Sequence, residues 1–168
     1  PGACASGFSS GLWGDELLAM RFLHPARHDE YFSAGAAAFA AGHVLYIWAL
    51  VALSGVRLIA ALPVFIVSYA AALVCGWRGK VNAGKLTPCA IVYIALVVFM
   101  GATACAAAAR SFSVGTLMFA AAGVCFSVSD CILCVYCYGS RRTNGMNAAI
   151  HATYYAAQML IAWSIALV

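Results

Sequence analysis

Two aspartates and a short set of histidine, tyrosine and glutamine side chains carry the chemical interest of this 168-residue chain. Asp15 and Asp130 lie inside long apolar runs with no Lys or Arg mid-span. A charged side chain at the centre of a bilayer costs roughly 2.5–3.5 kcal/mol on insertion scales, so an acid in such a run is a functional-site candidate by default. Two carboxylates, one protonated and one ionised, form a general acid and a general base. His43 and Tyr46 are three residues apart and share a helix face. His151, Tyr154, Tyr155 and Gln158 follow the i, i+3, i+4, i+7 spacing of one polar stripe. Ser127, Asp130 and Cys134 share another face, and Tyr93 is a further candidate. Each of these has a plainer reading. Single Tyr, Ser or Gln residues in membrane helices serve as interhelical hydrogen-bond glue, and a lone His43 packs as a neutral core residue. An ion pair would be the plain reading for the aspartates, but no base lies mid-run to complete it.

The elements that must position these side chains follow from composition. Hydrophobic residues make up 65% of the chain and charged residues 8%, with a mean hydropathy of +0.96. A soluble domain carries about a quarter charged residues. A soluble globule, a disordered chain and a nucleic-acid module are thereby excluded. The net charge of +4 comes from scattered residues and not from a basic stripe, so no nucleic-acid partner is expected. A membrane-spanning helix needs roughly 20 mostly apolar residues. The chain divides into six such segments, at about 4–23, 32–53, 58–77, 88–109, 115–138 and 148–168. Pro88 falls at a first turn, where a missing N–H is harmless. The expected fold is all-α, a multi-pass transmembrane bundle of six helices in a single domain over residues 1–168.

Charge placement gives the expected topology. Eleven of the 14 charged residues mark breaks between runs, and only Asp15, Glu16 and Asp130 lie within them. Arg21, Arg27, Arg78, Lys80, Lys85, Arg141 and Arg142 would share one side, against Arg57 and Arg110 on the other. The excess of Lys and Arg marks the first side as cytoplasmic. The first and fifth helices then run the same way. Asp15 lies eight residues before Leu23 and Asp130 eight before Tyr138, so both sit roughly 12 Å from the cytoplasmic ends of their helices. Carboxylates at matching depth on parallel helices could face one another. Gly7, Gly11 and Gly14 are expected to permit close packing of the first helix. The run Cys131, Cys134, Cys137 lacks an evident fourth ligand, so the cysteines read as packing residues, and no metal or cofactor is expected. Glu16, turned about 100° from Asp15, has no clear role.

Four segments together resemble the YhhN-like lysoplasmalogenase family. They are GLWGDELLAM, carrying Gly14-Asp15 and Leu17-Leu18, and FSAGAAAFAAGHVLYI, carrying Gly42-His43 and Leu45-Tyr46. GVCFSVSDCILC, with Ser129-Asp130, and ATYYAAQMLI, with Tyr154 through Gln158, complete the set. Tyr93 and Met100 resemble a weaker middle motif, and Glu16 departs from the family pattern. The resemblance implies an eight-helix integral membrane enzyme, of which about two N-terminal helices are not represented among the six. It implies hydrolysis of the vinyl-ether bond of a lysoplasmalogen to a fatty aldehyde and glycerophosphoethanolamine or glycerophosphocholine. The implied partners are the lysophospholipid substrate and membrane lipid, and the implied location is a membrane, the endoplasmic reticulum in a eukaryote. On this reading Asp15 and Asp130 are the catalytic pair. Tyr154, Tyr155 and Gln158 orient water or glycerol oxygens, while His43, Tyr46, Tyr93 and Ser127 support the site or bind substrate. Arg141 and Arg142 would meet the phosphate or simply mark the cytoplasmic side. The competing reading is a non-enzymatic bundle, such as a proton-coupled transporter or a receptor-like protein, because paired intramembrane acids also relay protons.

Overall fold

The computed structural model describes residues 2–24 and 27–167. The side chains of Leu18, Ala19, Arg21, Phe22, His28 and Asp29 lie outside the described set, so two of the boundary charges, Arg21 and Asp29, are placed by backbone alone. Six α-helices account for the chain: α1 Gly2–Leu23, α2 His28–Ser54, α3 Leu62–Arg78, α4 Thr87–Arg110, α5 Val114–Tyr138 and α6 Asn144–Ala166. No strand occurs among the described residues. The expected all-α class and the number of helices agree with this.

Three helix starts differ from expectation by four residues: α2 opens at His28 and not at about 32, and the other two differ for local reasons. The third segment opens with a 3-10 turn over Leu58–Ala61 before α3 begins. Pro63 sits in the first turn of α3, where its missing N–H costs nothing but its ring prevents the α-helix from extending backwards. The sixth helix starts four residues earlier than its apolar run. The Thr143 hydroxyl accepts from the Met146 N–H and caps α6, so the polar turn of Asn144, Gly145 and Asn147 is helical although it is not apolar. Ser113 and Thr116 form a reciprocal capping box at the start of α5.

Four spans, Glu30–Ser54, Leu58–Arg78, Gly84–Arg110 and Val114–Tyr138, are long and apolar enough to cross a membrane. The expectation of six such spans is therefore met by four. Helices α1 and α6 have the length but not the apolarity, because α1 is rich in Gly and Ser and carries Asp15 and Glu16. Helix α6 carries two asparagines, His151, Gln158 and two tyrosines.

Helices α1, α2, α4, α5 and α6 close a ring: α1 packs on α2, α2 on α4, α4 on α5, α5 on α6, and α6 returns to α1. The core of this ring is built from Phe39, Tyr46, Met100, Phe119, Phe126 and Ile161. Helix α3 leans on α4 and α5 from outside and has no buried residue. Its outer face of Ile66, Val67 and Trp77 is exposed, as suits a surface in contact with hydrocarbon. Small residues set the spacing inside the ring. A Cβ on Gly101 of α4 would fall 3.0 Å from the Gly123 carbonyl oxygen and 2.9 Å from the Ser127 hydroxyl. The backbones of α4 and α5 thus cross in close contact, as small residues allow in membrane helices.

Candidate active site

Three of the four glycines of α1 are places where a side chain of the site lies against its backbone. A Cβ on Gly7 would meet the Tyr46 ring at 2.7 Å, one on Gly11 the Gln158 amide nitrogen at 3.2 Å, and one on Gly14 the Phe39 ring at 2.7 Å. The small-residue face expected of this helix is therefore a seat for site residues from α2 and α6. It also fixes Asp15, one residue beyond Gly14, beside α6.

Each aspartate is held by a tyrosine from another helix. The Tyr154 hydroxyl donates to Asp15 Oδ2 at 2.5 Å, and Gln158 Nε2 donates to the Tyr154 hydroxyl at 2.8 Å. This is a directed chain from Gln158 through Tyr154 to Asp15, in which each bond polarises the next. The Tyr93 hydroxyl donates to Asp130 Oδ2 at 2.7 Å. Asp130 is buried, 7% exposed, and Asp15 is half-buried. Among the described residues the two carboxylates do not hydrogen-bond to each other. Each belongs to its own tyrosine–aspartate unit.

Aromatic packing joins the two units. The Tyr154 ring meets Phe126 edge-on at 5.5 Å and Phe39 at 6.2 Å. Phe126 meets His43 edge-on at 4.9 Å, and His43 stacks on Tyr93 at 6.1 Å. Asp130 lies within electrostatic range of Tyr154. His43 is 1% exposed, and neither of its ring nitrogens has a protein partner among the described residues. The same holds for the Tyr46 hydroxyl and for Gln158 Oε1. A buried polar group left unpaired costs about 1–3 kcal/mol. Four such atoms in one locus mark a place suited to a polar ligand or to water.

Six of the nine candidate residues, Asp15, Asp130, His43, Tyr93, Tyr154 and Gln158, are thus linked by hydrogen bonds or ring contacts. Tyr46 adjoins them through His43, with ring centroids 6.4 Å apart. Tyr155 is placed elsewhere: it is 61% exposed and touches His151 and the edge of Tyr154. Ser127 donates to the carbonyls of Gly123 and Val97 across the α4–α5 crossing. Its neighbour Ser129 is the buried one, donating to the Ile150 carbonyl of α6 at 3.1 Å. Phe126 and Phe39 were not singled out, because an apolar ring in an apolar helix leaves no signal of its own. Glu16 is on the exposed side of α1 with Leu12 and Trp13.

Two of the loop cations have local partners. Arg142 donates to the Cys137 carbonyl at the end of α5 at 2.8 Å. Arg110 Nε donates to the Ser54 carbonyl at the end of α2 at 3.0 Å, beside Gly55 at φ 63°. Both satisfy helix C-terminal carbonyls that otherwise lack donors. All eight cysteines are free thiols. Among the described residues no group of three or more His, Cys, Asp or Glu side chains is arranged to hold a metal ion.

A family model described as the YhhN family matches residues 2–165, nearly the whole chain. No curated protein and no solved structure matches it.

Proposed function

The chain belongs to the YhhN family, the lysoplasmalogenase family, and from that premise we propose that it is a multi-pass integral membrane hydrolase cleaving the vinyl-ether bond of lysoplasmalogens. The observation that carries this reading is the pair of carboxylates, from α1 and α5, each engaged by a tyrosine of another helix and joined by one aromatic cluster. The reaction needs a proton delivered to carbon, an oxocarbenium-like intermediate and attack by water. One aspartic acid gives its proton to the alkenyl carbon beta to the ether oxygen. The positive charge that develops on the adjacent carbon and oxygen is stabilised by the carboxylate partner. That carboxylate then takes a proton from the attacking water, and the hemiacetal formed collapses to a fatty aldehyde and a glycerol hydroxyl. The logic is that of a glycosidase pair, with an enol ether in place of an acetal. Tyr93 and Tyr154 hold the carboxyl groups in position, and Gln158 holds Tyr154. His43 and Tyr46 offer polar atoms to the substrate's glycerol portion or to water.

Purified protein in lipid nanodiscs, supplied with a vinyl-ether lysophospholipid, is expected to release fatty aldehyde, while an ester lysophospholipid is left intact. Asp15→Asn and Asp130→Asn are each expected to reduce release by about 10²–10⁴-fold, the range of general acid–base contributions. Near-wild-type release by either variant would remove the catalytic pair. Substrate-dependent proton flux without lipid turnover would replace the hydrolase with a transporter.

A further inference from the structure

We propose that a hydroxyl-rimmed cleft at the Ser54–Ser111 end of the bundle is the water inlet of the carboxylate site, with Tyr46 and His43 relaying water from it to the Tyr93–Asp130 unit. The inference rests on the hydrolytic reading above and adds to it the source of the water. The cleft has a volume of about 290 Å³. At roughly 30 Å³ per water, it has space for several. Ser54, Ser111, Thr116 and Ser164 contribute hydroxyls to its wall, and Cys4 and Phe119 line it as well.

Beneath the cleft, the rings of Tyr46, His43 and Tyr93 follow one another toward the aspartate, with centroids 6.4 and 6.1 Å apart. The Tyr46 ring meets Phe119, which lines the cleft, at 5.5 Å. Tyr46 is 2% exposed and its hydroxyl has no protein partner among the described residues. His43 follows, with both ring nitrogens unpartnered, and then Tyr93, which donates to Asp130. A phenol and an imidazole each donate and accept, so water satisfies both where a hydrocarbon chain satisfies neither. A second cleft opens between α3, α4 and α5 over Leu73, Trp77, Ile91, Ile94, Cys131 and Cys134, and its wall carries a single hydroxyl, that of Thr87. Water delivery is therefore assigned to the first.

X-ray hydroxyl-radical labelling of the intact protein in nanodiscs reads water beside buried side chains and needs no turnover. Tyr46 is expected to label severalfold faster, after correction for intrinsic reactivity, than Ile161, which is equally buried. Ser111→Trp, and independently Leu53→Trp at the same mouth, are expected to cut Tyr46 labelling severalfold and to lower aldehyde release. Tyr46→Phe is expected to lower kcat by about tenfold with KM unchanged, the scale of one lost hydrogen bond. A silent Tyr46, or labelling that ignores both mouth substitutions, overturns the inlet. If labelling behaves as expected but no vinyl-ether lysolipid is cleaved, the hydrolase reading fails and the water path stands. If cleavage proceeds with Tyr46 dry, the inlet alone fails.

Discussion

At the scale of single residues, the two tyrosine–aspartate bonds give the sharpest expectations. A hydrogen bond to an ionised group contributes about 1.5–3 kcal/mol. With one aspartate ionised and the other protonated, one of Tyr93→Phe and Tyr154→Phe should lower kcat by roughly 10–150-fold and the other by about 2–10-fold, measured as aldehyde release at saturating lysolipid. Gln158→Leu should cost less, and its effect should vanish in a Tyr154→Phe background, because Gln158 reaches Asp15 only through the Tyr154 hydroxyl. Additive losses in that double variant would show that Gln158 acts elsewhere. Tyr155→Phe should leave the rate unchanged, since that side chain is exposed. The contrast between Tyr154 and Tyr155 shows the limit of the sequence. Helical spacing places both on one polar stripe, but a stripe about 100° wide has an inner and an outer edge. Which edge faces inward depends on where α1 and α5 lie. Ser127 and Ser129 show the same limit. Spacing groups Ser127 with Asp130, yet Ser127 is drawn to the Gly101–Gly123 crossing while Ser129 is the buried partner of α6.

At the scale of elements, close helix contact decides whether those bonds form. A Cβ on Gly14 would overlap the Phe39 ring, and one on Gly101 would press on the Gly123 backbone. Forcing an extra methyl into a packed contact costs about 1–3 kcal/mol. Gly101→Ala should cost the more of the two, because backbone cannot rotate aside as a ring can. Gly76→Ala on α3 has nothing within 4 Å of the new Cβ. It should be neutral or stabilising by about 0.5–1 kcal/mol, the ordinary gain from replacing a helical glycine. Thermal unfolding in detergent should rank the variants Gly76→Ala, Gly14→Ala, Gly101→Ala from most to least stable. Equal stabilities would mean that the helices are not in close contact. Gly7, Gly11 and Gly14 were legible in the sequence as a packing face. What they pack against was not, since Tyr46, Gln158 and Phe39 come from two other helices. The start of α6 was hidden because a capping threonine and a polar turn resemble a loop when apolarity is the only guide.

At the scale of the molecule, the distribution of apolar surface explains why, among the described residues, only four helices are long and apolar enough to cross a membrane. The two that do not, α1 and α6, hold Asp15, Tyr154 and Gln158. They can be less apolar because their polar faces meet each other and the ring, while α3 offers hydrocarbon surface on nearly all sides. The two ends of the bundle also differ. One carries Arg78, Lys80, Lys85, Arg141 and Arg142, and the other carries Arg57, Arg110 and the hydroxyl-rimmed cleft. The bias of Lys and Arg toward the cytoplasm predicts that the first end lies there. The chain supplies its own reporter for this orientation. Its only lysines are Lys80 and Lys85, both exposed and both in the connection between α3 and α4. A membrane-impermeant amine reagent applied to intact cells that carry the protein in their plasma membrane should leave both lysines unmodified, as read by mass spectrometry of the tryptic peptides. The same reagent after permeabilisation should modify both. Labelling in intact cells would invert the molecule, and the inlet would then draw its water from the cytosol.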